Sequence, residues 1–260
     1  MNNKTIILVA THKPYWMPKD DIYVPLHVGA EGKYDQDGNP LDFGYIKDNT
    51  GDNISIKNKN FCELTGLYWG WKNLDADYIG LAHYRRHFTV RKGKEKKALP
   101  ITGSEISKIL CNTDLIVPKK RNYIIETNYK QYIHAHHKED LDKTREILQE
   151  KYPEYISAYD SNMKKTSGHR FNMFIMRKNL IDNYCEWLFD ILFELENRLD
   201  ISSYTVNDAR VFGFVSERLL DVWIDTNKID YIEIPYVFME KQNWIIKGFN
   251  FLKRKILYDK

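Results

Sequence analysis

Tyr78-Ile79-Gly80-Leu81-Ala82-His83-Tyr84-Arg85-Arg86-His87-Phe88 decides how this chain is read. A five-residue apolar run, the length of a buried strand, ends abruptly in histidines, a tyrosine and two adjacent arginines. In open α/β sheets, ligands bind just beyond the carboxyl ends of the strands. An arginine fork matches the geometry of phosphate or carboxylate. The stretch therefore reads as a strand that delivers an anion site, with a solvated surface turn as the plainer alternative.

Outward from it, residues 5–10 form a first apolar strand ending in the polar turn Thr11-His12-Lys13-Pro14. Residues 22–28 suggest a second strand, interrupted by Pro25. Residues 29–55 make a long Gly-, Asp- and Asn-rich loop, of the kind that is functional or disordered. Phe61, Leu64, Leu67, Tyr68 and Trp71 recur at helical spacing, which predicts one helix over 58–73. The basic stretch 85–97 reads as a mobile loop. A helix over 104–111, a strand over 114–117 and a partly helical region over 123–159, broken at Pro153, follow. Then come a strand over 171–176, helices over 179–199 and 208–223, and a last strand over 231–234. Short strands alternating with helices are the α/β pattern.

The bulk properties narrow the class. At 260 residues with 43% hydrophobic and 14% aromatic content, the chain has enough material for one large core. A net charge of +3 makes no demand for nucleic acid. Cys62, Cys111 and Cys185 show no paired spacing, which suits a reducing cytoplasm. The apolar run at the start is too short for a signal peptide, and no window approaches a membrane span. Residues 241–260 are expected to form a basic amphipathic tail, with Ile245, Phe249, Leu252 and Ile256 on one helical face, that could rest on an anionic membrane.

Several chemistries are disfavoured. The first strand is followed by no G-x-G-x-x-G, and no Walker A sequence occurs. Asp75-Ala76-Asp77 is formally a D-x-D, but it precedes a strand, where a turn is its expected role. His134, His136 and His137 match no standard ligand spacing; a metal-dependent phosphosugar hydrolase or phosphotransferase using them is a rival reading. A non-catalytic glycan-binding module is another.

Three features converge instead: the polar loop 48–53, the helix start near Asn58 to Asn60 with Glu63 in its first turns, and the His83 to Arg86 strand end. Together they suit a sugar nucleotide, with diphosphate on the cations and hydroxyls on the acids and amides. At these strings the chain resembles a bacterial family. Residues 48–55, 62–69, 71–73, 80–86, 171–176 and 210–219 are similar to capsular and extracellular polysaccharide glycosyltransferases carrying an HYRR motif, long catalogued as a domain of unknown function. The resemblance implies a GT-A-like, Rossmann-like α/β domain with a mixed sheet over 1–240 and a helical C-terminal extension. It further implies a nucleotide-sugar donor, UDP-galactofuranose being one lead, and a lipid-linked or oligosaccharide acceptor at the cytoplasmic membrane face.

In that scheme His83, Arg85 and Arg86 stand where a metal-binding D-x-D would be, so no metal cofactor is expected, although Mn²⁺ or Mg²⁺ remains an alternative. Thr11, His12, Asp48, Asp52, Asn53, Asn60 and Glu63 join them as donor-binding candidates. Glu217 is the first choice of base and Asp208 the second, with Glu63 third; Asn172 and Arg210 are assigned to the sugar and acceptor side.

Overall fold

The computed structural model describes residues 3–240; the expected tail lies outside the described residues. The strands are β1 (Thr5–Thr11), β2 (Tyr23–His27), β3 (Ile46–Lys47), β4 (Tyr78–His83), β5 (Arg86–Phe88), β6 (Leu115–Pro118), β7 (Arg121–Asn122), β8 (Ser167–Gly168), β9 (Phe174–Arg177), β10 (Ile232–Ile234) and β11 (Tyr236–Phe238). The helices are α1 (Asn58–Phe61), α2 (Leu64–Asn73), α3 (Gly103–Leu110), α4 (Asn128–Ile133), α5 (Lys138–Lys151), α6 (Ile156–Lys164), α7 (Lys178–Arg198) and α8 (Val211–Asn227).

Among the described residues, the main sheet runs in the order β10-β6-β9-β4-β1-β2-β3, with β5 and β11 as a branch at one edge. All neighbours on the main path pair parallel except β9, which lies antiparallel between β4 and β6. Pro25 is tolerated in β2 because β3 begins only opposite Leu26.

The central strands are apolar on both faces because helices cover both. Leu8, Ala10, Ile79 and Leu81 face the larger core, built mainly with α2, α5, α7 and α8. Ile7, Val9, Tyr78 and Ala82 face the smaller one, closed by Ile106 and Leu110 of α3. Each fully buried Leu or Ile contributes about 1.5–3 kcal/mol by leaving water, so these two strands are firmly held. Thr102 and Glu105 form a reciprocal capping box that starts α3.

Three expectations are revised. The helix expected over 58–73 is broken, because Cys62 adopts φ 54° and ψ −132° between α1 and α2. The break leaves Glu63 at the N-cap position of α2. The basic stretch 85–97 is tied down rather than loose: Arg91 donates to the Ala98 and Pro100 carbonyls and pairs with Glu105 at 2.6 Å. Lys96 likewise donates to the Glu240 carbonyl at 2.7 Å. The strand expected over 171–176 begins only at Phe174, because Phe171 and Asn172 take left-handed backbone angles (φ 76° and 51°).

Candidate functional site at the carboxyl edge of the sheet

β1 and β4 run side by side, Ala10 opposite His83, so the residues after both strands emerge together. The Tyr84 N–H donates to the Ala10 carbonyl at 3.2 Å, and His83 pairs across to Arg86 as β5 folds back. Tyr84 is buried in this turn, packed edge-on against His12 and Tyr15 and stacked on His83 at 4.5 Å. Lys13 and Arg85 lie 5.4 and 5.2 Å from its ring centre. Burial, reinforced by Arg86 and Arg85, pushes the His83 pKa down to about 3, so the ring is neutral at physiological pH. His12 is lowered too, by burial and then by Lys13, Arg85 and Arg210.

The two arginines are held differently. The Arg86 guanidinium lies 4.2 Å from the Phe171 ring centre and 5.1 Å from that of Phe238, a clamp of two aromatic faces. Arg85 faces Glu240 at 3.6 Å, while its Nε is buried with no partner among the described residues. The Met239 N–H donates to the Arg85 carbonyl at 2.9 Å, so the segment after β11 closes on this turn.

Glu63 enters from the opposite wall. Asn172 donates to its Oε1 at 2.8 Å and to the Gly213 carbonyl at 3.2 Å, and accepts from Ser216 at 2.9 Å. The left-handed backbone at Phe171 and Asn172 makes both contacts possible: Phe171 turns to Arg86 while Asn172 turns to Glu63. Gly213 permits the close approach of α8, since a Cβ there would stand 3.2 Å from Cys62 Sγ. Arg210 Nε donates to the same sulfur at 3.1 Å. Burial, and next the Glu63 charge, pushes the Cys62 thiol up to about 12, so it is a poor nucleophile here.

Burial raises the Glu63 pKa, and Glu217 raises it further against the pull of Arg210 and the Asn172 hydrogen bond. Burial lowers the Arg86 pKa, opposed by Glu217 and Glu63. Two carboxylates and three guanidinium groups thus act on one another in one cluster. Glu217 pairs with Arg218 at 3.3 Å, and its backbone carbonyl accepts from the buried Arg170 at 3.0 Å.

Of the residues expected to act, the structure brings together His12, Glu63, His83, Arg85, Arg86, Asn172, Arg210 and Glu217. The others sit elsewhere. Asp48 is fully buried and accepts from the N–H groups of Gly29 and Ala30, from Ser55, and from Thr65 at 2.6 Å. It organises the loop, which Gly29 enters at φ 66°. Asp52 binds Tyr68 and Asn73 at the far end of α2, about 15 Å of helix from Glu63. Asn53 closes a local turn onto Gly51 and Ser55, and Asn60 ties α1 to the Ala209 carbonyl at 2.6 Å. The Thr11 hydroxyl turns back to the Lys13 carbonyl. Asp208 is committed to Thr205 and His136. The short polar residues chosen from the 48–53 loop thus bond to neighbouring backbone and side chains of their own loop and of α2.

Of the histidines of 134–137, His136 and His137 both reach Asp208, at 3.1 and 3.8 Å, whereas His134 turns away from them. His134 meets Glu126 at 2.8 Å, His136 stacks on Phe214, and His137 stacks on Tyr204. Among the described residues, no group of three or more His, Cys, Asp or Glu side chains is placed to hold a metal ion. Reading the sequence missed the Phe171–Phe238 clamp and Glu240, since aromatic content alone does not say which rings meet. No helix among the described residues is long and apolar enough to cross a membrane.

Comparison with known proteins agrees with this architecture. The chain is similar to the solved apo structure of WbbM, a bifunctional glycosyltransferase, at 30% identity and a TM-score of 0.79. The match covers 92% of this chain and 46% of that one, so the chain spans about half the length of this neighbour. No curated protein sequence matches it. The mixed sheet with its antiparallel β9 is a GT-A-like α/β fold. A family model described as a domain of unknown function matches residues 6–228, and the chain belongs to that family, DUF4422.

Proposed function

We propose that this domain transfers a sugar from a nucleotide-sugar donor to a glycan acceptor, without a metal at the end of β4. The observation that carries the reading is the charge cluster beyond β1 and β4, where Arg85, Arg86 and Arg210 share one field with Glu63 and Glu217. The likeness to a glycosyltransferase supports it. A divalent ion fits poorly beside His83, because its neighbours there are two guanidinium groups. Those same groups suit the charge that grows on a leaving diphosphate, and fixed cations facing developing charge are an effective catalytic device. Arg86 is pre-organised by its aromatic clamp and Arg85 can exchange Glu240 for phosphate.

Glu217 is the proposed base for the acceptor hydroxyl, with Glu63, held by Asn172, on the sugar hydroxyls. UDP-galactofuranose is the first donor to test, and a surface polysaccharide precursor the first acceptor. A thermal-shift series of UDP-, GDP-, dTDP- and CMP-sugars, each with EDTA or Mn²⁺, tests the donor step; a ligand at 100 times its Kd stabilises by about 2.7 kcal/mol. A shift from a nucleoside diphosphate sugar in EDTA is expected, and a shift seen only with Mn²⁺ would refute the two-arginine reading. Glu217→Gln should lower turnover by about 10² or more with donor binding kept.

A further inference from the structure

β4 and β6 both pair antiparallel with β9, so they run the same way, and His83 and Pro118 leave the sheet at one edge. The chain leaving β6 reads Lys119-Lys120-Arg121-Asn122-Tyr123-Ile124-Ile125. Its three cations are exposed, and Ile124 and Ile125 are 78% and 49% exposed. Ile124 also takes φ 63°, a left-handed angle that a β-branched residue rarely adopts. Hydration and backbone preference both oppose this placement.

The loop is nonetheless built. Arg121 and Asn122 pair with Gly168 and Ser167, and the Tyr123 N–H donates to the Thr166 carbonyl at 2.8 Å. Asn122 Oδ1 accepts from the Ile124 N–H at 2.8 Å, and the Tyr123 carbonyl accepts from the Ile125 N–H at 2.7 Å. Glu126 then buries its carboxylate against His134. A second apolar tip, Val206, is 80% exposed, and two residues later Asp208 binds His136. Both tips therefore brace on the same 134–137 segment.

We infer that this double tip is a membrane-contact surface that takes an anionic phospholipid bilayer. Aliphatic side chains at a convex tip enter the acyl boundary, while the adjoining cations meet lipid phosphates. Lys120 is partly engaged by Glu233 at 3.6 Å, which leaves Lys119 and Arg121 as the outward charges. Since the tip lies at the same sheet edge as the β4 charge cluster, docking turns that edge toward the bilayer. The inference needs lipid binding alone and stands apart from the proposed transfer reaction.

The test uses the full chain with an environment-sensitive NBD label on Ile124→Cys in a Cys111→Ser background; the labelled background protein alone supplies the blank. Vesicles are phosphatidylcholine, with or without about 30% phosphatidylglycerol. A blue-shifted, severalfold brighter emission on the anionic vesicles is expected, weakened by about 0.5 M salt. Asn suits left-handed backbone, so Ile124→Asn with Ile125→Asn should keep the thermal midpoint yet lower vesicle binding about tenfold or more. Three results would overturn the inference. They are no vesicle binding, an unchanged label on vesicles that the chain does bind, and a label that responds to protein concentration without lipid, which marks a second copy as the occupant.

Discussion

Replacing Glu63 by Gln should make this protein more stable and less able to bind its donor. Burial raises the Glu63 pKa, and the nearby Glu217 charge adds to the effect. The folded state therefore holds this proton more tightly than the unfolded chain does. Stability linked to Glu63 is fully present below its ordinary value of 4.5 and is lost as pH rises through the higher folded-state value. A glutamine suffers no such loss. Its Oε1 can still accept from Asn172 Nδ2, now 2.8 Å from the carboxylate, and the contact to Glu217 becomes neutral. The attractions to Arg210 and Arg86 disappear. Relief of one unfavourable buried charge is worth about 0.5–2 kcal/mol, or about 1–4 °C for a chain of this size. Scanning fluorimetry at about pH 7.5 and about pH 4 separates the cases. The gain should appear at the higher pH and vanish at the lower one, where wild-type Glu63 is itself protonated. Isothermal titration with the best donor should show weaker binding at the higher pH. Destabilisation at the higher pH would refute the reasoning, because it would mean that the carboxylate is stabilised by Arg210 or Arg86 rather than tolerated.

Asp48→Ala leaves two backbone N–H groups and two hydroxyls without their acceptor in a fully buried place. The expected loss is about 3 kcal/mol or more in denaturant titration, with donor affinity per folded molecule unchanged; specific loss of donor affinity would return Asp48 to the site. Arg86→Met keeps the aromatic packing against Phe171 and Phe238 but removes the charge. It should weaken nucleoside diphosphate binding about tenfold or more while leaving nucleoside monophosphate binding less affected, as read by calorimetry. Equal loss for both would place Arg86 away from the terminal phosphate.

Much of the architecture was legible because it follows from local pattern. The β1 and β4 runs are continuous and apolar, which only a strand covered on both faces tolerates. The abrupt arrival of His83 and Arg86 after β4 marked the carboxyl edge, and these residues do converge with His12 and Arg210. The loop 48–53 was harder to read, since Asp and Asn serve turns as readily as ligands and nothing local distinguishes the two. Asp48 shows the difficulty: its partners come from 19 residues earlier and 17 later in the chain. β11 was missed because three residues carry too little pattern, and it exists by pairing with β5.

By itself, then, the sequence determined that alternating strands and helices bury two faces of one sheet and that a cationic turn closes its central strand. That information is local, carried by hydrophobic period and by the place where a run stops. Tertiary structure alone decided which acids meet those cations. The helix break at Cys62 depends on α8 pressing Gly213 against it and on Arg210 reaching its sulfur. The paired left-handed angles at Phe171 and Asn172 occur without a glycine to announce them, held by Ser216 and Glu63 from distant segments. Strained backbone persists only where surrounding contacts over-determine it, and those contacts come into being only once the sheet has brought its carboxyl ends together.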